Sequence, residues 1–201
     1  MMLKRLLDVT LSVVLLLVMS PLFVVIASLI KLDSPGPVFF LQTRVGQGGR
    51  HFRILKFRTM RVDAAGPPLT VGSDPRITRS GAVLRALKLD ELPQFFNVVV
   101  GQMSIVGPRP EIPEYVALYP PAVRAVVLSV RPGITDPASI EFRSESEILG
   151  RSHDPELTYV KEIMPTKLRL GAQYVAEMGL RRDIAIMFAT VRAVFGHQRN
   201  R

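Results

Sequence analysis

The stretch KLDELPQ, residues 88–94, sets two carboxylates, Asp90 and Glu91, side by side just ahead of a proline. Such a pair can supply a nucleophile, shuttle protons or hold a divalent cation. A structural role competes: Asp90 suits a helix N-cap and Pro93 is tolerated in a first turn. DELPQFFNVVV then reads as a helix beginning at the carboxylates, where acids offset the helix dipole. The surroundings favour chemistry. In GQMSIVGPRPEIP, Arg109 stands between Pro108 and Pro110; the following proline confines it to extended backbone, so its guanidinium can grip phosphate bidentately at low entropic cost. VRPGITDPASIEFRSE adds Arg131 and Arg143, and GAVLRALKL predicts a short helix with Val83, Leu84 and Leu87 apolar and Arg85 at its polar edge. Lys56 and Arg58, two apart, share one face of a predicted strand, either aimed at an anion or lying along a solvated edge. Each arginine alone reads as a surface residue; together with the Asp-Glu pair they sketch a divalent-cation and phosphate site near lipid headgroups.

The elements that must hold this site begin with an apolar run. Val9 to Ile30 carries no charge over 22 residues, roughly 33 Å as a helix and enough to cross a bilayer core. A cleaved signal peptide fits poorly, because the run is too long and no small-x-small site follows. Two membrane readings remain. Lys4 and Arg5 precede the run, and Lys31, Arg44, Arg50, Arg53, Lys56, Arg58 and Arg61 follow it, which keeps the bulk of the chain cytoplasmic. Either the run spans once, or it enters and returns by bending at Ser20-Pro21. Next, DSPGPVFFLQTRVGQGGRHFRILKFRTM predicts a β-hairpin, with Gly46, Gly48 and Gly49 making its turn rather than a phosphate loop, and His51 an ordinary turn residue. Residues 63–81 are rich in Gly, Pro, Ser and Asp and read as loop.

Composition narrows the classes. A 201-residue chain with 48% hydrophobic residues can bury a core. With no cysteine there is neither a disulfide framework nor a thiolate site. The net charge of +9 favours anionic partners. Nucleic acid is disfavoured, because no Trp, zinc-finger spacing or aromatic array accompanies the basic residues.

Several motifs in order, "SP" at 20–21, DSPGPVFFLQTRVG, LKFRTM, DPRITRSG, LRALKLDELPQFFNVVVGQMSIVGPRP and RPGIT, make residues 3–145 resemble the bacterial sugar transferases. These are the monotopic phosphoglycosyl transferases that act on polyprenyl phosphate. The resemblance implies transfer of a sugar 1-phosphate from a UDP-sugar to polyprenyl (undecaprenyl) phosphate with Mg²⁺, at the cytoplasmic face of the bacterial inner membrane. By position it implies Asp90 as the nucleophile and metal ligand, and Glu91 as its assistant, also at the metal. Lys56, Arg85, Arg109 and Arg143 become the phosphate-binding cations. It also selects the re-entrant helix, broken at Ser20 and Pro21. Departures stand at Gln102, Asp136-Pro137 and Phe142-Arg143-Ser144, which put the nucleotide and sugar contacts in question without touching the reacting pair.

The expected architecture is a monotopic, membrane-associated α/β protein. Residues 1–32 form the re-entrant hairpin; residues 33–201 form a cytoplasmic catalytic domain with a short β-hairpin and several helices, with a homodimer as a candidate assembly. The region from Pro155 predicts two or three helices broken near Pro165 and Gly179, with Ile184, Met187, Val191, Val194 and Phe195 packing on the domain. A membrane-surface helix, using Arg181, Arg182, Arg192 and the basic tail, is the second reading. A membrane-anchored binding or scaffold protein remains the non-enzymatic alternative.

Overall fold

The computed structural model describes residues 2–64, 66–67 and 69–196. Two apolar helices open the chain, α1 (Met2–Val18) and α2 (Ser20–Asp33), bent by 62° at the single residue between them. Among the described residues no single helix is long and apolar enough to cross a membrane, but the bent pair is so together. The bend has a local cause. Pro21 has no N–H to donate to the Leu17 carbonyl four residues back, and the Ser20 hydroxyl donates to that carbonyl instead at 2.8 Å. The neighbouring bonds, Met19 N–H to Leu15 O and Phe23 N–H to Met19 O, survive at 2.8 and 3.0 Å, so the chain turns without losing its helical ladder on either side.

The helix pair is seated on the rest of the protein at both ends. Lys4 Nζ donates to Asp183 at 2.7 Å and to the Val106 carbonyl at 3.1 Å. Arg5 donates to the Val98 carbonyl at 2.7 Å, and buried Asp8 accepts from the Ser104 hydroxyl at 2.6 Å. Tyr174 completes the network with a 2.6 Å bond to Asp183. The two cations that precede the apolar run therefore bind protein carbonyls and a carboxylate. At the other end Ile26 and Ile30 of α2 pack with Phe57 and Leu84 in a small core.

An antiparallel hairpin follows, β1 (Phe39–Val45) and β2 (His51–Phe57), registered from Phe39 opposite Phe57 to Val45 opposite His51. As expected, Gly48 and Gly49 supply the left-handed backbone of its turn, at φ 67° and 78°. The described residues between β2 and Thr78 are irregular and are tied down by Arg76, which bridges Asp74 and the Pro67 and Leu69 carbonyls. Helix α3 (Arg79–Ala86) starts inside the stretch expected to be loop, because Thr78 caps it by accepting from Gly81 N–H at 3.0 Å. Gly81 is dictated by space: a Cβ there would meet the Thr59 carbonyl oxygen at 2.1 Å.

The second half is mostly helical. A 3₁₀ turn (Leu89–Glu91) leads to α4 (Gln94–Val99), and β3 (Ser104–Val106) pairs in parallel with β4 (Gly133–Thr135). Helices α5 (Pro113–Val116) and α6 (Pro121–Val127) lie between those strands. Then come α7 (Pro137–Glu141), α8 (Glu145–Gly150), α9 (Pro155–Thr158), α10 (Met164–Glu177) and α11 (Leu180–Gly196). One core joins the hairpin, α4, β3, α10 and α11 around Ile54, Val98, Met103 and Tyr174. A second gathers Tyr115, Leu149, Tyr159 and Leu168.

Two expectations about elements need correction. Pro165 does not break its helix; it sits in the first turn of α10, where its missing N–H costs nothing, after a wide π turn over Tyr159–Ile163. The break at Gly179 stands, between α10 and α11. On α11, Ile186 is the buried apolar residue and Met187 packs beside it, whereas Ile184 and Val191 are exposed, so the inward face is rotated from the expected one. The side chain of Phe195 and the basic tail, residues 197–201, lie outside the described residues.

Candidate active site

Asp90 and Glu91 do not begin a helix. Pro93, at ψ −16°, is the residue that enters α4, and the carboxylates occupy the 3₁₀ turn before it. The turn is packed against α3 and β2. It opens at Lys88, whose φ of 56° is left-handed. The N-cap expectation fails because the chain reverses at Lys88, and the helix needs the proline's fixed φ to start again.

The two neighbouring acids are treated in opposite ways. Glu91 is clamped. One carboxylate oxygen accepts from Lys56 Nζ at 2.9 Å and also from an Arg109 nitrogen; the other accepts from the second Arg109 nitrogen at 3.2 Å. Burial alone would raise its carboxyl, but Arg109 and Lys56 outweigh that and hold it well below the usual carboxylate range. Glu91 in turn raises Arg109 above its ordinary value. Asp90 is buried, yet among the described residues its carboxylate makes no hydrogen bond or ion pair. Burial raises it above the usual aspartate value, countered first by Lys56 and reinforced by the charge of Glu91.

Arg109 is fixed from behind. Its backbone N–H donates to Asp136 at 3.2 Å, while the other oxygen of Asp136 caps α7 by accepting from Ser139 N–H at 2.7 Å. Asp136 is 2% exposed. Beside Arg109 opens a cleft whose walls include Arg109, Glu111, Tyr119, Asp136, Ser139 and Lys167. Glu111, two residues on, is locked by Arg44 at 3.1 Å and by the Tyr159 hydroxyl at 2.7 Å.

The structure thus brings together Asp90, Glu91, Lys56 and Arg109. Arg85 joins them electrostatically: its charge acts on Asp90, and its side chain has no hydrogen bond or ion pair among the described residues. Arg143 is directed elsewhere, donating to the Val194 carbonyl at 3.1 Å. Arg131 donates to the Gly101 carbonyl at 2.9 Å. Arg58 does not stand with Lys56 before an anion. It lies past the end of β2, buried, bonded to the Ser34 carbonyl at 2.8 Å and to that of Pro35.

Sequence reading missed Asp136 and Lys88 as members of the site. The departure at Gln102 is a scaffold contact, accepting from Asn97 at 2.7 Å, while Asn97 binds the β2 backbone at Leu55 and Arg53.

A divalent cation fits this donor set in one way. Among the described residues no group of three or more metal-binding side chains occurs, and both Glu91 oxygens are taken by cations. Of the described residues gathered at this site, Asp90 is the one with free carboxylate oxygens. One carboxylate, completed by water and substrate phosphates, is a normal set for Mg²⁺; Glu91 as a direct ligand does not match this geometry.

Comparison with known proteins gives the family. The bacterial sugar transferase family model matches residues 1–197. A UDP-N-acetylgalactosamine-undecaprenyl-phosphate N-acetylgalactosaminephosphotransferase of Aeromonas hydrophila is 39% identical over 195 residues, 95% of this chain and 43% of that protein. A UDP-glucose:undecaprenyl-phosphate glucose-1-phosphate transferase of Escherichia coli (strain K12) is 40% identical over 194 residues, 94% of this chain and 39% of that one. An exopolysaccharide production protein of Rhizobium meliloti is 36% identical over 208 residues, covering 95% and 84%. The chain spans about two fifths of the length of the first two. By this match and these residues, the chain belongs to the bacterial sugar transferase family.

Proposed function

We propose that the protein is a phosphoglycosyl transferase. It moves a sugar 1-phosphate from a UDP-sugar to polyprenyl phosphate at the cytoplasmic face of the inner membrane, as the first membrane step of glycoconjugate or exopolysaccharide assembly. The observation that carries this is the split between the adjacent acids: Glu91 ionised and immobilised, Asp90 buried beside cations with its oxygens unengaged. A carboxylate is a weak nucleophile, so its attack on a diphosphate needs freedom from competing partners and cations nearby.

In the first step an Asp90 oxygen bonds to the β-phosphorus of the donor, the bond from that phosphorus to the bridging oxygen breaks, and UMP departs with the electron pair. An oxygen of the lipid phosphate then attacks the same phosphorus, and the aspartyl bond breaks to restore Asp90. Glu91 holds Lys56 and Arg109 in fixed positions beside the reacting group, and Asp136 holds the Arg109 backbone. Asp90 is the residue that would hold Mg²⁺, and the ion would supply neutralisation of diphosphate charge there. Raised by burial, the Asp90 carboxyl must be ionised to attack, so the first step fails on the acid side.

The bent helices fit a re-entrant membrane element over residues 1–32 with the catalytic domain in 33–201. Exposed Leu17, Val24 and Leu29 suit contact with lipid, while Lys4, Arg5 and Asp8 lock the entry to the domain. The sugar differs between the two relatives named for it, so a UDP-hexose or N-acetylhexosamine defines the donor class. The test is UMP release from a panel of such donors with Mg²⁺ and undecaprenyl phosphate. Release that requires lipid and Asp90 supports the reading, and silence across the panel from folded, lipid-embedded protein rejects it.

A further inference from the structure

Lys56 and Arg109 both place their charge on Glu91. Incoming phosphate oxygens therefore need other cations beside Asp90. Two remain, Arg85 and Lys88: both lie within electrostatic reach of the Asp90 carboxylate, and neither side chain has a hydrogen bond or ion pair among the described residues. Lys88 carries the stronger signal. Among the described residues it is the single non-glycine position with positive φ, at φ 56° and ψ 21°. A Cβ is crowded in that conformation, which glycine adopts freely. Its backbone closes the turn that presents the acids, with Lys88 N–H donating to Arg85 O at 3.2 Å and Glu91 N–H to Lys88 O at 3.4 Å. The residue as a whole is exposed, while its ammonium is partly shielded from water, which lowers its pKa from the ordinary lysine value. A lysine standing where glycine would fit with less strain, and with no hydrogen bond or ion pair for its ammonium, has its use outside the fold.

We infer that Lys88 is a substrate-binding residue: its ammonium, with Arg85, takes up the phosphate oxygens presented to Asp90, while Lys56 and Arg109 keep Glu91 in place. The ligand chemistry is a phosphate ester or diphosphate, which the nucleotide donor and the polyprenyl phosphate both carry. The assignment of those two sources rests on the transferase reading; binding of phosphate does not.

The test compares wild type with Lys88→Gly and Lys88→Arg. Titrated calorimetrically with inorganic pyrophosphate in magnesium buffer, Lys88→Gly binds about 10- to 100-fold more weakly than wild type, the loss expected of one charge-assisted hydrogen bond. Its melting temperature is unchanged or higher, since the backbone is relieved, and Lys88→Arg recovers most of the affinity. Equal affinity of wild type and Lys88→Gly, or no pyrophosphate binding by wild type, overturns the inference. Kinetics then separate the sources. A slowed single turnover of UMP release without lipid puts Lys88 on the donor; a normal first turnover with slow transfer to undecaprenyl phosphate puts it on the acceptor. Pyrophosphate binding through Lys88 by a protein that releases no UMP from any UDP-sugar removes the transferase reading and leaves the lysine site standing.

Discussion

Neutralising each of the adjacent acids in turn should move stability in opposite directions. Glu91→Gln removes the charge that Lys56 and Arg109 share. Breaking a buried pair from one side costs about 3–5 kcal/mol. Here Lys56 keeps 17% and Arg109 29% of its side chain exposed, so both can partly rehydrate and the cost falls to about 2–3 kcal/mol. For a chain of this size that is a drop in Tm of about 4–12 °C. Asp90→Asn removes a carboxylate that burial makes costly to ionise, so Tm stays level or rises at neutral pH. The pH dependence follows from the two shifts. The folded value of Glu91 lies below its unfolded one, so its contribution is present above the ordinary carboxylate range and is lost as pH falls through the depressed value. The folded value of Asp90 lies above its unfolded one, so its stabilising share is present at acid pH and lost as pH rises through the raised value. Accordingly the advantage of Asp90→Asn shrinks on acidification. Circular dichroism melts in lipid nanodiscs at a fixed scan rate measure this. Equal-sign shifts for the two variants, or a Glu91→Gln protein as stable as wild type at pH 7, would refute the clamp.

Other perturbations reach the supports of the site. Asp136→Ala should cost about 1–2 kcal/mol through loss of the α7 cap and should lower turnover by loosening Arg109, with Asp136→Asn retaining more of both in melts and UMP-release assays. Asp183→Asn removes the charge at the shortest of the Lys4 contacts, so amide exchange over residues 2–8 should quicken while the hairpin's protection is unchanged. Replacing Ser20 and Pro21 together by Ala returns a donor to the Leu17 carbonyl and should straighten the helix pair. Because the chain has no cysteine, a single one introduced near residue 1 reports topology cleanly: cytoplasmic in the parent and periplasmic in the straightened variant. Periplasmic labelling of the parent would contradict the re-entrant reading.

What the sequence disclosed, and what it hid, divides along chain separation. The hairpin turn at Gly48 and Gly49 and the bend at Pro21 are local consequences of one residue's backbone freedom or missing donor, and both were legible. The Asp90-Glu91 pair stood out because two adjacent acids precede a proline in a chain of net charge +9 whose nearby arginines are held by prolines. Their unequal treatment was not legible, since the partners of Glu91 lie 35 and 18 residues away. Arg58 misled for the same reason. A period of two places it beside Lys56 only while the strand lasts, and β2 ends at Phe57. Asp136 was noticed as a departure from family pattern, yet its capping of α7 and its hold on Arg109 appear only when β3 and β4 pair.

The central claim is that Asp90 takes the phosphosugar. The most direct measurement is the intact mass of the protein after incubation with a UDP-sugar and Mg²⁺ in the absence of lipid phosphate, followed by peptide mapping. The account predicts an added sugar phosphate on the peptide containing Asp90, lost on addition of undecaprenyl phosphate and absent from Asp90→Asn. No adduct, with UMP release persisting in Asp90→Asn, would contradict it.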